Sequence, residues 1–274
     1  MLVGLLMVAG GAGAGVFGSL LGLGGGILIV PLLTLGFGLD LREAVGVSLV
    51  CVIMTSSASA GVYLERHVAN MRLGMTLELF TAIGALVGVS VAFALDERLL
   101  SLLFAGLLGY VAFTMARPRD AGSTDTPPAE PDQAAAPETP PTALERLSGD
   151  GYTVRNLGRG IVGATFADIV SALLGIGGGI IKVPLMHLSM GVPLRVATAT
   201  SNMMIGITAA ASAVVYLIRG GIDPYAAGPT AIGVFLGASA GARLAHRVDI
   251  RLLRALFVVV LVYTALQMLL RALR

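Results

Sequence analysis

The sequence predicts an all-α, polytopic membrane protein made of two homologous repeats with discontinuous or re-entrant helices. Three observations support this prediction: an apolar composition, a duplicated segment, and a glycine cluster in each copy. Of the 274 residues, 56% are hydrophobic and 12% are charged, and the mean hydropathy is +0.89. A soluble domain carries about 25% charged residues. Apolar runs of about twenty residues, long enough to cross a bilayer as helices, recur along most of the chain.

The duplication is direct. The segment 22–32 returns as 175–185 with eight of its eleven residues identical, at an offset of 153 positions. The same offset, without a gap, relates further residues such as Arg42 and Arg195. The protein therefore consists of two internal repeats of one unit.

The two copies are joined by a segment of different composition. Residues 117–154 hold seven of the twelve prolines, together with scattered alanines and acidic residues. Such a composition cannot bury enough apolar surface to fold. We therefore expect a first transmembrane repeat over residues 1–116, a disordered linker over 117–154 and a second transmembrane repeat over 155–274.

Each repeat contains three consecutive glycines followed five residues later by a proline. Consecutive glycines end a helix, and the short apolar segment that follows them cannot cross a bilayer. The freed backbone groups must face protein or a wet cavity, where their N–H groups suit an anion. The alternative is close helix packing through small residues, as in Gly11-x-x-x-Gly15. The candidate site glycines are Gly22, Gly24, Gly25, Gly26, Gly175, Gly177, Gly178 and Gly179.

Arginine placement predicts the orientation of the repeats. If each glycine-split pair returns the chain to its starting side, the 66–72 loop, the linker and the 243–254 loop share one side. That side collects most of the arginines and is then cytoplasmic. Under this parity the repeats are inverted, which we prefer; if each pair crosses once, they are parallel. The full crossings then number roughly seven to ten.

Charged residues within the apolar segments are functional candidates, because a charge at membrane depth is costly. Lys182 is the only lysine and replaces Ile29 of the first repeat. It is a candidate counter-charge for an anionic substrate, unless it snorkels to an interface. Asp168 is a candidate for proton coupling, a partner of Lys182, or a polar residue of a packed helix. Glu78 lies near the start of its segment, which favours an interfacial position.

Small polar side chains supply neutral hydrogen-bond donors to an anion. They could equally join helices to one another. Two arginines at the starts of equivalent segments, Arg42 and Arg195, could guide anions or anchor helix ends. The small polar candidates are Ser48, Thr55, Thr200, Ser201 and Asn202.

Enzyme chemistry is not indicated. The three histidines are far apart without metal-ligand spacing, and neither a nucleophile elbow nor a Walker motif is present. We expect no catalytic residues, no cofactor, no metal and no nucleic-acid partner.

The paired Gly-x-Gly-Gly-Gly-x-x-x-Val-Pro motifs are each followed by Arg-x-Ala-x-x-x-Ser, at Arg42/Ala44/Ser48 and Arg195/Ala197/Ser201. Both halves, though not the linker, resemble the TauE/SafE family of sulfite exporter-like permeases. The resemblance implies a multi-pass protein of a bacterial-type inner membrane that moves a small sulfur-containing anion such as sulfite, sulfoacetate or another organosulfonate.

The residues and the resemblance together predict a secondary transporter that works by alternating access. Its partners are the lipid bilayer and a small anion. Proton or ion coupling and a homodimer are left open. The alternatives are a passive anion channel or facilitator, a transporter of a non-sulfur organic anion, and a non-transporting membrane partner; the glycine breaks argue against the last.

Overall fold

The computed structural model describes residues 2–21, 25–65, 69–116, 147–149, 152–244 and 250–273. Most of the predicted linker, and the site glycines Gly22 and Gly24, lie outside these residues. The helices of the first half are α1 (Leu2–Leu21), α2 (Gly26–Pro31), α3 (Leu41–Glu65), α4 (Met71–Ala94) and α5 (Glu97–Ala116). Those of the second half are α6 (Leu157–Leu174), α7 (Gly179–Pro184), α8 (Leu194–Ile218), α9 (Pro224–Leu244) and α10 (Ile250–Leu273).

In each half, the helix that precedes the glycine cluster ends there and a new helix begins after it, as the sequence predicts. Gly25 precedes α2 with φ 74°, and Gly175, Gly177 and Gly178 have φ of 69°, 95° and 66°. These left-handed conformations suit glycine because it has no Cβ. The short helices α2 and α7 each continue through their proline into one π-helical turn, at Leu32–Gly36 and Leu185–Ser189.

After each break the chain folds back along the helix that precedes it. A Cβ at Gly10 of α1 would meet the Leu32 side chain, and a Cβ at Gly163 of α6 would meet that of Leu185. The Arg155 N–H, just before α6, donates to the Met190 carbonyl, just after the second π turn, at 3.0 Å. In both halves the short segment after the glycines therefore lies alongside the helix that precedes them, and we call these two elements together a hairpin.

The two halves are interlocked through equivalent contacts. Helix α9 of the second half packs on α1, where Gly237 lies against the Ala12 carbonyl. Helix α4 of the first half packs on α6, where a Cβ at Gly84 would lie 2.6 Å from the Thr165 carbonyl oxygen. The offset of 153 positions relates both members of these pairs. Small residues at four-residue spacing permit this close approach, so Gly11 and Gly15 serve packing.

The equivalent long helices α3 and α8 cross the centre in opposite directions. Near the start of α3, Gly46 contacts the Gly221 carbonyl beyond the end of α8, whereas Ser56 further along α3 lies against Gly206. We call end A the end of the molecule that contains the start of α3 and the end of α8. End B is the opposite end, where α4, α6 and α8 begin.

The all-α, multi-pass part of the predicted fold class is confirmed. The described residues are helical and contain no strand beyond an isolated bridge between Gly149 and Tyr152. Seven of their helices are long and apolar enough to cross a membrane. Large apolar side chains cover the outer surface, such as Leu5 and Val162, each 71% exposed. A surface of this kind is expected for a protein surrounded by lipid.

Candidate functional site

The two chain breaks meet at the centre of the molecule. A Cβ built on Gly26, at the start of α2, would lie 2.5 Å from the Gly175 carbonyl oxygen. The hydroxyl of Ser48 on α3 lies 2.7 Å from that same oxygen and 3.3 Å from the Gly26 carbonyl oxygen. Ser48 therefore holds one broken segment against the other and satisfies carbonyls that the breaks leave free.

Lys182 and Asp168 form an ion pair beside the second break. The Lys182 Nζ atom lies 2.6 Å from Asp168 Oδ2, and the two side chains are 1% and 0% exposed. Gly178 leaves room for the pair, because a Cβ there would lie 2.8 Å from Asp168 Oδ1. Of the alternatives from sequence, the structure favours Asp168 as the partner of Lys182, and Lys182 does not snorkel out of the protein.

A second carboxylate shares this cluster. Thr208 Oγ1 on α8 lies 2.7 Å from Glu78 Oε1, 3.1 Å from Asp168 Oδ2 and 3.5 Å from Lys182 Nζ. Thr81, one turn after Glu78 on α4, donates to Glu78 Oε2 at 3.1 Å. We call Glu78, Thr81, Asp168, Lys182 and Thr208 the Lys182 cluster. Two carboxylates and one ammonium sum to −1 when all are ionised.

The sequence favoured an interfacial Glu78, but its side chain is buried inside the protein and 6% exposed. The interfacial position was expected because Glu78 lies near the start of its apolar segment. That position does not indicate whether a neighbouring helix covers the face of α4 that carries Glu78. Sequence reasoning also did not select Thr81 or Thr208 as site residues. The available signal was the Glu78-x-x-Thr81 spacing, which places both side chains on one face of a helix.

The first half has no equivalent of this cluster. The positions related to Asp168, Lys182, Thr208 and Glu78 by the repeat offset hold Gly15, Ile29, Thr55 and Ala231. The repeat is thus symmetrical in backbone and asymmetrical in charge. Among the described residues, no group of three or more His, Cys, Asp and Glu side chains is placed to hold a metal ion.

The small polar candidates divide into two groups. Thr200 accepts a hydrogen bond from the Asn70 N–H at 2.9 Å, and the backbone carbonyl of Asn202, rather than its side chain, accepts one from Ser56. These contacts join helices. Thr55 donates to the Val52 carbonyl of its own helix at 2.9 Å. The Ser201 hydroxyl, equivalent to Ser48, is buried without a hydrogen-bond partner, so it is the candidate available to a ligand.

The two candidate arginines lie at opposite ends. At end A, Arg42 Nη2 donates to the Leu95 carbonyl at 2.8 Å, and the Arg42 and Arg219 guanidinium groups lie 5.4 and 4.8 Å from the Phe93 ring centroid. These groups border a polar cavity of about 530 Å³. Arg195 is exposed at the start of α8, at end B. Arg42 has the contacts of a helix anchor and also lines this polar cavity.

Comparison with known proteins identifies the class of this molecule. The family model described as "Sulfite exporter TauE/SafE" matches residues 7–268. The chain is 26% identical over 276 residues to the probable membrane transporter protein YunE of Bacillus subtilis, covering 96% of each chain. It is 22% identical to the probable membrane transporter protein YdhB of the same organism, covering 85% of this chain and 86% of that one.

An archaeal relative is the probable membrane transporter protein MJ0441 of Methanocaldococcus jannaschii, which is 26% identical over 79% of this chain and 73% of its own. No solved structure matches the chain. The family match takes in both halves with their glycine breaks, and the helices are long enough to span a membrane several times. The chain is therefore a multi-pass membrane transporter protein that belongs to the sulfite exporter TauE/SafE family.

Proposed function

We propose that the protein is a secondary transporter that moves a small sulfur-containing anion, such as sulfite, sulfoacetate or another organosulfonate, by alternating access. The observation that supports this most directly is the buried ammonium of Lys182 beside the glycine break. The family name adds the substrate class. An anion entering the site replaces Asp168 as the partner of Lys182, so that the ammonium is never left alone in the protein interior.

The burial of the site favours a carrier over a channel. Lys182 and Asp168 are 1% and 0% exposed, so the conformation described here closes the ammonium off from water on both sides. A conducting pore needs a continuous wet path past its selective groups. A carrier instead exposes its site to one side at a time. The hydroxyl of Ser201 and the backbone of Gly177–Gly179 are the remaining polar groups that we assign to the substrate path.

We also propose that the halves lie inverted in the membrane, with end B in the cytoplasm. The opposed directions of α3 and α8 support inversion, as do hairpins that begin at end A in the first half and at end B in the second. The helices that flank the arginine-bearing segments 66–72, 117–154 and 243–254 end or begin at end B, which agrees with the preference of cytoplasmic loops for arginine.

Counterflow in proteoliposomes tests the carrier. Vesicles loaded with unlabelled sulfite should transiently accumulate labelled sulfite above its equilibrium level, and uptake should saturate with concentration. A carrier gives both results because its site faces one side at a time, so that unlabelled sulfite inside competes with labelled sulfite for exit, whereas a pore gives neither. Parallel assays with sulfoacetate, taurine, sulfate and acetate identify the substrate class. Linear uptake without counterflow would contradict the proposal.

Lys182 offers a direct test of access, because it is the only lysine in the chain. An amine-specific reagent that enters vesicles slowly should label Lys182 only when the site opens, and a transported anion should protect it. Labelling of the Lys182→Met variant measures the reaction at the N-terminal amine, which is subtracted from the labelling of the wild type. Rapid labelling unaffected by any of the tested anions would contradict a substrate role for this ammonium.

A further inference from the structure

We propose that Glu78 is the proton-binding residue of this transporter and that Thr208 relays its protonation state to the Lys182–Asp168 pair. This inference rests on the proposed transport function for its consequence, but the proton site can be tested without any substrate. It assigns Asp168 a positioning role toward Lys182 and moves the proton itself to the other carboxylate of the cluster.

The net charge of −1 on the fully ionised Lys182 cluster has to be neutralised. Asp168 Oδ2 lies 2.6 Å from Lys182 Nζ and balances its charge. The negative charge of Glu78 is therefore the one that has no counter-charge. The Glu78 side chain is 6% exposed. The charged groups that face it are Asp168 from α6 and Lys182 from α7, while α8 contributes the Thr208 hydroxyl and α4 itself contributes Thr81. A buried net charge of −1 is costly, and one proton removes it.

The position of Thr208 couples the two carboxylates. Its hydroxyl has one hydrogen and two acceptor lone pairs, and it lies 2.7 Å from Glu78 Oε1 and 3.1 Å from Asp168 Oδ2. It can donate to one carboxylate at a time. With Glu78 ionised, the shorter distance favours donation to Glu78, and Lys182 is then the main hydrogen-bond donor to Asp168.

Protonation reverses this arrangement. When the site opens to one side, one proton from the bulk aqueous phase binds to Glu78 Oε1, and the new O–H donates to Thr208 Oγ1. The Thr208 hydrogen then turns to Asp168 Oδ2, and the formal charge of the cluster changes from −1 to 0. Asp168 now has a hydrogen-bond donor other than Lys182, so the ammonium can turn to an incoming anion at lower cost. A proton on Glu78 thereby favours anion binding, which is the linkage that symport of an anion with a proton requires.

Infrared difference spectroscopy of the reconstituted protein, with no substrate present, tests the proton site. Acid-minus-neutral spectra of the wild type should contain a carbonyl band of a protonated carboxylic acid that is lost in Glu78→Gln. The matched control is Glu43→Gln, at an exposed glutamate of α3, which should keep the band. An unchanged spectrum in Glu78→Gln would overturn the assignment.

Gradient-driven uptake tests the relay. Wild-type vesicles should accumulate labelled sulfite when a pH gradient is imposed, and Glu78→Gln should lose this accumulation. Thr208→Val should lose it too, and Thr208→Ser, which keeps the hydroxyl, should restore it. Full accumulation in Glu78→Gln or in Thr208→Val would overturn the proposal. If the wild type fails to transport sulfite while the infrared band still depends on Glu78, the substrate is wrong and the proton site stands.

Discussion

At the scale of single residues, the Lys182–Asp168 pair determines how the site responds to substitution. Lys182→Met leaves the fully buried Asp168 carboxylate without its counter-charge, and breaking a buried pair in this way costs about 3–5 kcal/mol. We expect a clear fall in Tm for the purified protein. Adding Asp168→Asn removes the orphaned charge, so the double variant should recover part of the loss.

The control for this cycle is Arg72→Met, which removes an exposed cation near the start of α4, at end B, and should change Tm little. Thermal unfolding of the wild type, the two single variants and the double variant in one detergent measures the coupling between Lys182 and Asp168. If the losses of Lys182→Met and Asp168→Asn simply add in the double variant, the two side chains do not act as a pair.

Substitutions at Gly178 and Gly220 distinguish the effect of backbone conformation from the effect of contact with the Lys182 cluster. Its φ of 66° nearly equals the 68° of Gly220, so alanine at either position pays the same left-handed penalty of about 1–2 kcal/mol. A Cβ at Gly178 also meets Asp168 Oδ1 at 2.8 Å, whereas Gly220 has no atom within 4 Å. Gly178→Ala should therefore lose more stability and more anion counterflow than Gly220→Ala. Equal effects in Tm and counterflow would show that Gly178 matters for its φ alone.

At the scale of helices, glycines decide how closely the halves interlock. A Cβ at Gly88 on α4 would collide with the Ile169 carbonyl on α6, whereas one at Gly109 on α5 would meet nothing within 4 Å. We expect Gly88→Ala to destabilise the protein by about 1–3 kcal/mol, because α4 must move away from α6. Gly109→Ala should be neutral or stabilise by about 0.5–1 kcal/mol, because alanine is the better helix former.

Denaturation of both glycine variants, measured by the loss of helical circular dichroism, checks this difference. Gly241→Ala is a second test, since Gly241 of α9 has the same place against Val16 of α1 that Gly88 has against Ile169. A Gly88→Ala protein as stable as Gly109→Ala would mean that the α4–α6 contact is loose.

At the scale of the whole molecule, the pseudo-symmetry predicts the membrane topology. Reporters fused after residue 130 in the linker and after residue 220 beyond α8 should be found on opposite sides, because α8 connects end B to end A. A reporter after Gly38, just before α3, should match the one at 220. Alkaline phosphatase and green fluorescent protein fusions give this readout. Reporters at 130 and 220 on the same side would contradict the inverted arrangement.

Much of the architecture could be predicted from the sequence because it depends on local composition and on the repeat. Apolar runs predict helices that span a bilayer, and three consecutive glycines predict a break wherever they occur, since the cause is local. Gly25 and Gly178 occupy the left-handed conformations that this reasoning requires. The small-residue pattern at Gly11 and Gly15 likewise indicated close packing before the partner helix was known.

The cluster at the site was decided by the tertiary structure. Asp168 and Lys182 lie 14 positions apart in the sequence, on either side of one glycine cluster, and their pairing was one of the alternatives considered. Glu78 and Thr208 lie 130 positions apart, and they meet because α4 of one half packs between α6 and α8 of the other. Periodicity along one helix carries no information about which distant helix covers a given face. The sequence by itself determined where the chain breaks and which charges are costly; only the exchange of helices between the halves decided which groups offset those charges.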